Sequence, residues 1–177
     1  MSLDRDLILE AVRLTARLSA VLLAANLIVA SRRVRARGGS PWRGSDIGTL
    51  GAFIGSHTVH FICLILLASA TGGESIRRSG GWTPAVVVAS IFYLGCGAVL
   101  RVKLRPGIGW RTRGQRRMEA SILGVLWLVF FQAYAGRLLA SAWFAALALG
   151  LLFSLLAFAA RLKSSLVQPD PNALQSV

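Results

Sequence analysis

"IGTLGAFIGSHTVHFICLILLASA", residues 47–70, runs without a carboxylate, a lysine or an arginine, yet it holds both histidines of the chain, His57 and His60. About 20 apolar residues in a row are what a helix needs to cross the hydrocarbon of a bilayer, so the stretch predicts a transmembrane helix. Ionisable groups are costly there and usually turn toward the interior of a bundle. A separation of three places the two imidazoles on one face, a turn apart, so they are the first candidates for a functional site.

Four further stretches read in the same way: residues 7–30, 83–100, 120–135 and 138–160. Over 177 residues, 55% of them hydrophobic, five such segments leave little room for anything else. The expected fold is therefore all-α, a single five-helix transmembrane bundle over residues 1–163, followed by a polar, Pro-punctuated and disordered tail, 164–177. Neither an internal repeat nor a separate soluble domain is visible.

A net charge of +13 could point to nucleic acid, but the bases are confined to the connections. Arg32, Arg33, Arg35, Arg37 and Arg43 lie between the first two segments, and Arg101, Lys103, Arg105, Arg111, Arg113, Arg116 and Arg117 lie between the third and fourth. The other two connections are poor in bases: Arg77 and Arg78 sit against Glu74 in one, and Arg137 stands alone in the last. By the positive-inside rule the rich loops, and the end carrying Arg161 and Lys163, are cytoplasmic, which puts the N-terminus out and the C-terminus in. Attraction to anionic headgroups then accounts for the basicity, and no nucleic-acid partner is expected. Asp4, Asp6 and Glu10 ahead of the apolar region 18–30, with arginines behind it, favour a retained anchor over a cleaved signal peptide.

Local features fill in this plan. Ser45 or Asp46 reads as the N-cap of the second helix, the glycine pairs of "TGGESIRRSGGWTP" as helix breakers, and Pro84 as a first-turn residue of the third helix. Trp42, Trp82 and Trp110 suit headgroup depth. Gly136 and Arg137 alone separate the last two segments, which predicts a tight antiparallel hairpin. Cys63 and Cys96 fall on different segments without a CxxC pair and read as small buried apolar residues. Gly48, Gly51, Gly55 and Ser56, with Gly95 and Gly97, allow close helix packing, a ligand groove or homo-oligomer contacts. Glu10, Arg13 and Arg17 form a charged stripe on the first segment; it either snorkels to water or makes an internal ion pair or anion-binding wall, and Asn26 could line the same interior.

Helix rise sets the depth of the polar residues. Counting about 1.5 Å per residue from Asp46, His57 lies about 16 Å in and His60 about 21 Å in; from Arg117, Gln132 lies about 22 Å in and Glu119 within about 3 Å of the boundary. His60 and Gln132 thus share a level, with Tyr93 near mid-membrane and Tyr134 slightly farther out. A polar cluster among the second, third and fourth helices is expected, with His57, His60, Gln132 and Tyr93 as its acid/base or binding groups. Two histidines on one turn would hold a zinc- or iron-like ion only with ligands from another helix, and the spans offer few.

"WRGSDIGTLGAFIGSHTVHFICLILL", residues 42–67, resembles the first histidine-bearing helix of the ferric-reductase-like transmembrane domain family, which includes the heme-binding membrane subunit of the bacterial methionine sulfoxide reductase system. "WRTRGQRRMEASILGVLWLVFFQAYAG", residues 110–136, resembles that family's Arg-Arg-Leu-His helix, in which a second histidine follows 13 residues after the first. The resemblance implies a bacterial inner-membrane location and heme b, with His60, or His57 as neighbour or alternate, as the axial iron ligand. It implies Arg43, Arg101, Arg116 and Arg117 as partners of the propionates. Glu119 and Gln132 occupy the two histidine positions of the second helix, so bis-histidine ligation cannot form within one chain.

Three functions follow. One is a heme b-binding redox and electron-transfer protein fed by quinol or by a redox partner protein, since no nucleotide fingerprint, phosphate loop or nucleophile elbow is present. Another is a heme-free enzyme or binder that uses the same cavity for a lipid, quinone or other hydrophobic small molecule, with an imidazole as acid/base. The third is an accessory subunit of a larger membrane complex in which the histidines are structural.

Overall fold

The computed structural model describes residues 4–35, 42–74, 84–104, 113–135 and 142–167. All regular structure among them is helical: α1 (Arg5–Arg35), α2 (Trp42–Ala70), α3 (Pro84–Leu104), α4 (Arg113–Ala135) and α5 (Ala142–Val167). Within these helices Arg5–Arg32, Gly44–Ala70, Arg117–Ala135 and Ala142–Ala160 are long and apolar enough to cross a membrane. The chain is accordingly a membrane protein with transmembrane helices.

The helices run past the apolar segments wherever the sequence offers no breaker. Arg32, Arg33 and Arg35 are good helix formers, and α1 continues through them. α2 starts at Trp42, ahead of the expected cap, so Asp46 sits inside the helix rather than at its mouth. α5 carries on to Val167, which corrects the expected tail boundary at 164: the first residue hostile to a helix is Pro169. The tail from residue 168, the second glycine pair and the connection through Gly136 and Arg137 lie outside the described residues. After α2 the chain turns through Gly72 and Gly73, at φ 57° and 79°, and Gly73 N donates to Ala68 O at 2.7 Å. Positive φ at both positions is why glycine closes this helix.

Each helix packs on its successor and α5 returns to α1, which also touches α4. Contacts across the α1–α2 seam run in opposite senses, from Thr15–His60 through Ser19–Ser56 to Asn26–Thr49, so the pair is antiparallel. Leu23, Leu27, Leu50, Phe53, Leu123, Leu126 and Leu151 are fully buried between the helices. Ile65, Leu94 and Phe153 point outward, as residues facing lipid tails do.

Small residues do less than their number suggests. A Cβ built at Gly48, Gly55 or Gly97 meets nothing within 4 Å, whereas one at Gly95 comes within 3.3 Å of the Ile122 side chain. Only there does the α3–α4 contact depend on glycine among these positions. Gly95→Val is expected to cost about 1–3 kcal/mol by overpacking, and Ile122→Ala in the same chain to recover most of it. Thermal unfolding in detergent reads both; an unchanged midpoint in the single variant would refute the tight contact.

Candidate functional site

His60 and Thr15 fix the first element of the site. Thr15 Oγ1 owns a single hydrogen and donates it to the carbonyl of Ala11 at 2.7 Å, in the manner of threonines inside helices. With the hydroxyl hydrogen on that shorter contact, the 3.1 Å contact with His60 Nδ1 has the imidazole as donor. The proton of neutral His60 is thus on Nδ1, and Nε2 is left as a lone pair. That is the tautomer a hydrogen-bond acceptor, a base or a metal ligand requires. In Thr15→Val the anchor is gone, and ¹⁵N shifts of the His60 ring are expected to move from the pure Nδ1–H form to a tautomer mixture; an unchanged spectrum would show that Thr15 does not set the proton.

His57 is held by stacking instead. Its ring lies 5.5 Å from Phe53 and 5.5 Å from His60, both near-parallel, and meets Phe61, Tyr93 and Phe130 at 4.8, 5.1 and 5.4 Å. Its Nδ1 is buried and has no hydrogen-bond partner among the described residues. A bare buried acceptor costs less than a buried unpaired N–H, so the proton belongs on Nε2. The two rings then offer one donor and one acceptor, a helical turn apart.

Both rings line a cavity of about 590 Å³ whose walls come from α1, α2, α4 and α5. Leu126, Val129, Phe130, Ala133 and Tyr134 of α4 line it together with Phe61 of α2 and Phe144 of α5, and Glu10, Arg13 and Arg17 of α1 carry its charge. Glu10 and Arg13 pair at 3.4 Å, and Arg17 lies 5.9 Å from the Trp143 ring. The size and the apolar lining with few polar groups are those of a small-molecule site.

The expected residues divide. His57 and His60 share the cavity, and the charged stripe of α1 lines it too, with Glu10 and Arg13 more than half exposed. Gln132 does not: its side chain is exposed and is not among those lining the cavity, so the pairing of imidazole with carboxamide is corrected. Leu126, Val129, Phe130 and Ala133 make the inward stripe at helical spacing, and position 132 lies off it. Tyr93 is also structural in its contacts. Its hydroxyl bonds to Thr58 Oγ1 at 2.5 Å and to the Ile54 carbonyl at 2.9 Å, pinning α3 to α2 outside the cavity wall. Arg101 and Arg117 are exposed and away from the cavity, and the side chains of Arg43 and Arg116 lie outside the described residues. Cys63 and Cys96 are free thiols, the latter buried, as expected. No group of three or more His, Cys, Asp or Glu able to hold a metal ion occurs among the described residues.

A second polar centre lies at the other end of the bundle and escaped the sequence reading. Lys103 Nζ donates to both carboxylate oxygens of Asp46 at 2.9 Å and also pairs with Glu119. The side chains of Lys103 and Asp46 are 2% and 0% exposed. Asn26 Nδ2 adds bonds to Asp46 O at 3.1 Å and Thr49 Oγ1 at 2.9 Å. Four helices therefore meet in one buried ionic network. Glu119, which stands where the resembled family has a histidine, is an ion-pair partner of lysine here.

No family model, curated protein or solved structure matches the chain.

Proposed function

We propose that this multi-pass membrane protein binds a hydrophobic, membrane-dissolved small molecule, of the lipid or quinone kind, in the cavity between α1, α2, α4 and α5. Five spans, N-terminus out and C-terminus in, in a bacterial inner membrane, complete the reading; the arginine-rich connections ahead of α2 and ahead of α4, against the base-poor ones that follow each, support that orientation. The observation that carries it is the cavity itself, lined along α4 by apolar side chains and the ring of Tyr134, with His57, His60 and the α1 stripe as its other polar groups. His60 Nε2 accepts a hydrogen bond from the bound molecule and His57 Nε2 donates one. An acid/base step on such a molecule needs nothing further from the chain than these two nitrogens.

The orientation of His60 supports a second reading, heme b held by one axial imidazole. The residues fit the group on one side only. His60 has its Nε2 lone pair presented and its other nitrogen anchored. Opposite it stand Leu126, Val129 and Ala133, while Glu119 is committed to Lys103 and Gln132 is turned away. Arg13 and Arg17, not Arg101 or Arg117, are the arginines that would face propionates. When bound, the group would supply one-electron chemistry with a partner protein or quinol.

Purification in mild detergent separates the two. A colourless protein is expected, from which native mass spectrometry releases a hydrophobic organic molecule, and Ala133→Trp, which fills the cavity, is expected to lose it. A Soret band abolished in His60→Ala would instead establish the heme reading.

A further inference from the structure

We infer that the molecule taken up by this cavity is a single-chain amphiphile with one negative charge at its head, a long-chain carboxylate in the simplest case, and that Arg17 is its counter-ion. The inference deepens the proposed function and rests on it.

The charges along the cavity give the head. Glu10 and Arg13 neutralise each other at 3.4 Å, and both are more than half exposed. Arg17 has no carboxylate within ion-pair distance among the described residues, only the indole face of Trp143 at 5.9 Å. One guanidinium charge is thus left over on the lining. Its place on the fold is deep: Arg17 lies twelve residues into α1, about 18 Å along the axis from Arg5 and two residues past Thr15, which touches His60. A cation at that depth is expensive without an anion, and a ligand carrying one negative charge supplies it. Guanidinium is also the group that best matches a planar carboxylate, through two parallel N–H···O bonds. His57 lines the same space, and a donor on its Nε2 suits the same head.

The remaining lining gives the tail. Phe61, Leu64, Leu126, Val129, Phe130 and Phe144 offer no polar atom from their side chains and Tyr134 adds only a phenol hydroxyl, so the rest of the molecule is mostly hydrocarbon. A cavity of about 590 Å³ is of the size that encloses one drug-sized molecule, which favours a single chain over a two-chain phospholipid.

The test is binding of tritiated palmitate to the full chain in detergent, with hexadecanol and a hexadecyl ammonium salt as neutral and cationic counterparts, and with acetate and inorganic phosphate as competitors. Palmitate is expected to bind at least about tenfold tighter than hexadecanol, the size of a charge-assisted hydrogen bond, and the ammonium salt to bind weakest. Arg17→Gln is expected to erase the preference while hexadecanol binding persists; Arg17→Lys is expected to keep part of it. Failure of acetate and phosphate to compete marks the source as lipid, and effective competition by either would overturn the amphiphile in favour of a soluble anion. Equal binding of palmitate and hexadecanol, lost in Ala133→Trp, would overturn the anionic head and leave the cavity reading standing. Binding of either that is indifferent to Ala133→Trp would overturn both.

Discussion

Lys103→Ala is expected to be the most damaging single substitution in the chain, costing about 3–5 kcal/mol, because it strands two carboxylates that one ammonium now serves. Asp46 is fully buried and accepts from Lys103 through both oxygens, and Glu119 pairs with the same ammonium. Without the lysine the two anions would face each other across the α2–α4 gap, away from water. The loss is expected as a fall in the detergent melting temperature and in the yield of folded protein. The asymmetry of buried pairs supplies the control: removing all the charges together with Asp46→Asn, Lys103→Met and Glu119→Gln is expected to restore most of the stability. A single variant as stable as the wild type, or a triple variant no better than the single, would show that the network is not what holds this end of the bundle.

That network also shows why some of the molecule could be read from the chain and some could not. The helices were legible because uninterrupted apolar runs admit few other structures: each of the five predicted segments falls on a helix, residues 83 and 138–141 lying outside the described residues, and four of the five helices are long and apolar enough to cross a membrane. His57 and His60 were legible as cavity residues for the same reason: two imidazoles on one turn of an apolar helix have no inexpensive outward position. Counting residues sets a height for Gln132 but says nothing of its azimuth. On a helix that is apolar all round, the inward stripe of Leu126, Val129, Phe130 and Ala133 is chemically like the lipid-facing side, so only packing distinguishes them. Lys103 was read as one base among many in a cytoplasmic loop, and Asp46 as a helix cap. Their pairing turns on how far α2 and α3 extend beyond the apolar core, which element boundaries inferred from sequence give least reliably. The available signal was that Asp46, Lys103 and Glu119 all lie at the same end of three successive helices and that the acids there are few. Thr15 gave no signal at all, since its role depends on the register of α1 against α2.

Phe53→Ala is expected to couple stability and the site in one measurement. The ring is fully buried, stacks on His57 at 5.5 Å, and meets Phe130 and Tyr93 edge-on at 6.1 and 6.4 Å. It therefore joins α2 to α3 and α4 beside His57, and among the described residues no close backbone contact joins α2 to α4. Truncation is expected to cost about 3 kcal/mol, the lower part of the range for a buried phenyl ring, because lipid tails already provide much of the transfer gain that water-soluble cores draw on. The second effect is positional. His57 has no hydrogen bond to hold Nδ1, so stacking is what fixes its ring, and with Phe53 gone the imidazole is free to turn into the space left behind. His60, anchored on Thr15, is expected to keep its tautomer and its place. Ligand binding should thus weaken more than the stability change alone accounts for, while the ¹⁵N signature of His60 stays as in the wild type. Phe53→Leu, which keeps most of the volume but not the aromatic face, separates the terms: it is expected to recover stability and leave His57 mobile. If Phe53→Leu bound the ligand as tightly as the wild type, stacking would not be what orients His57, and the donor assigned to its Nε2 would have to be held by the ligand itself.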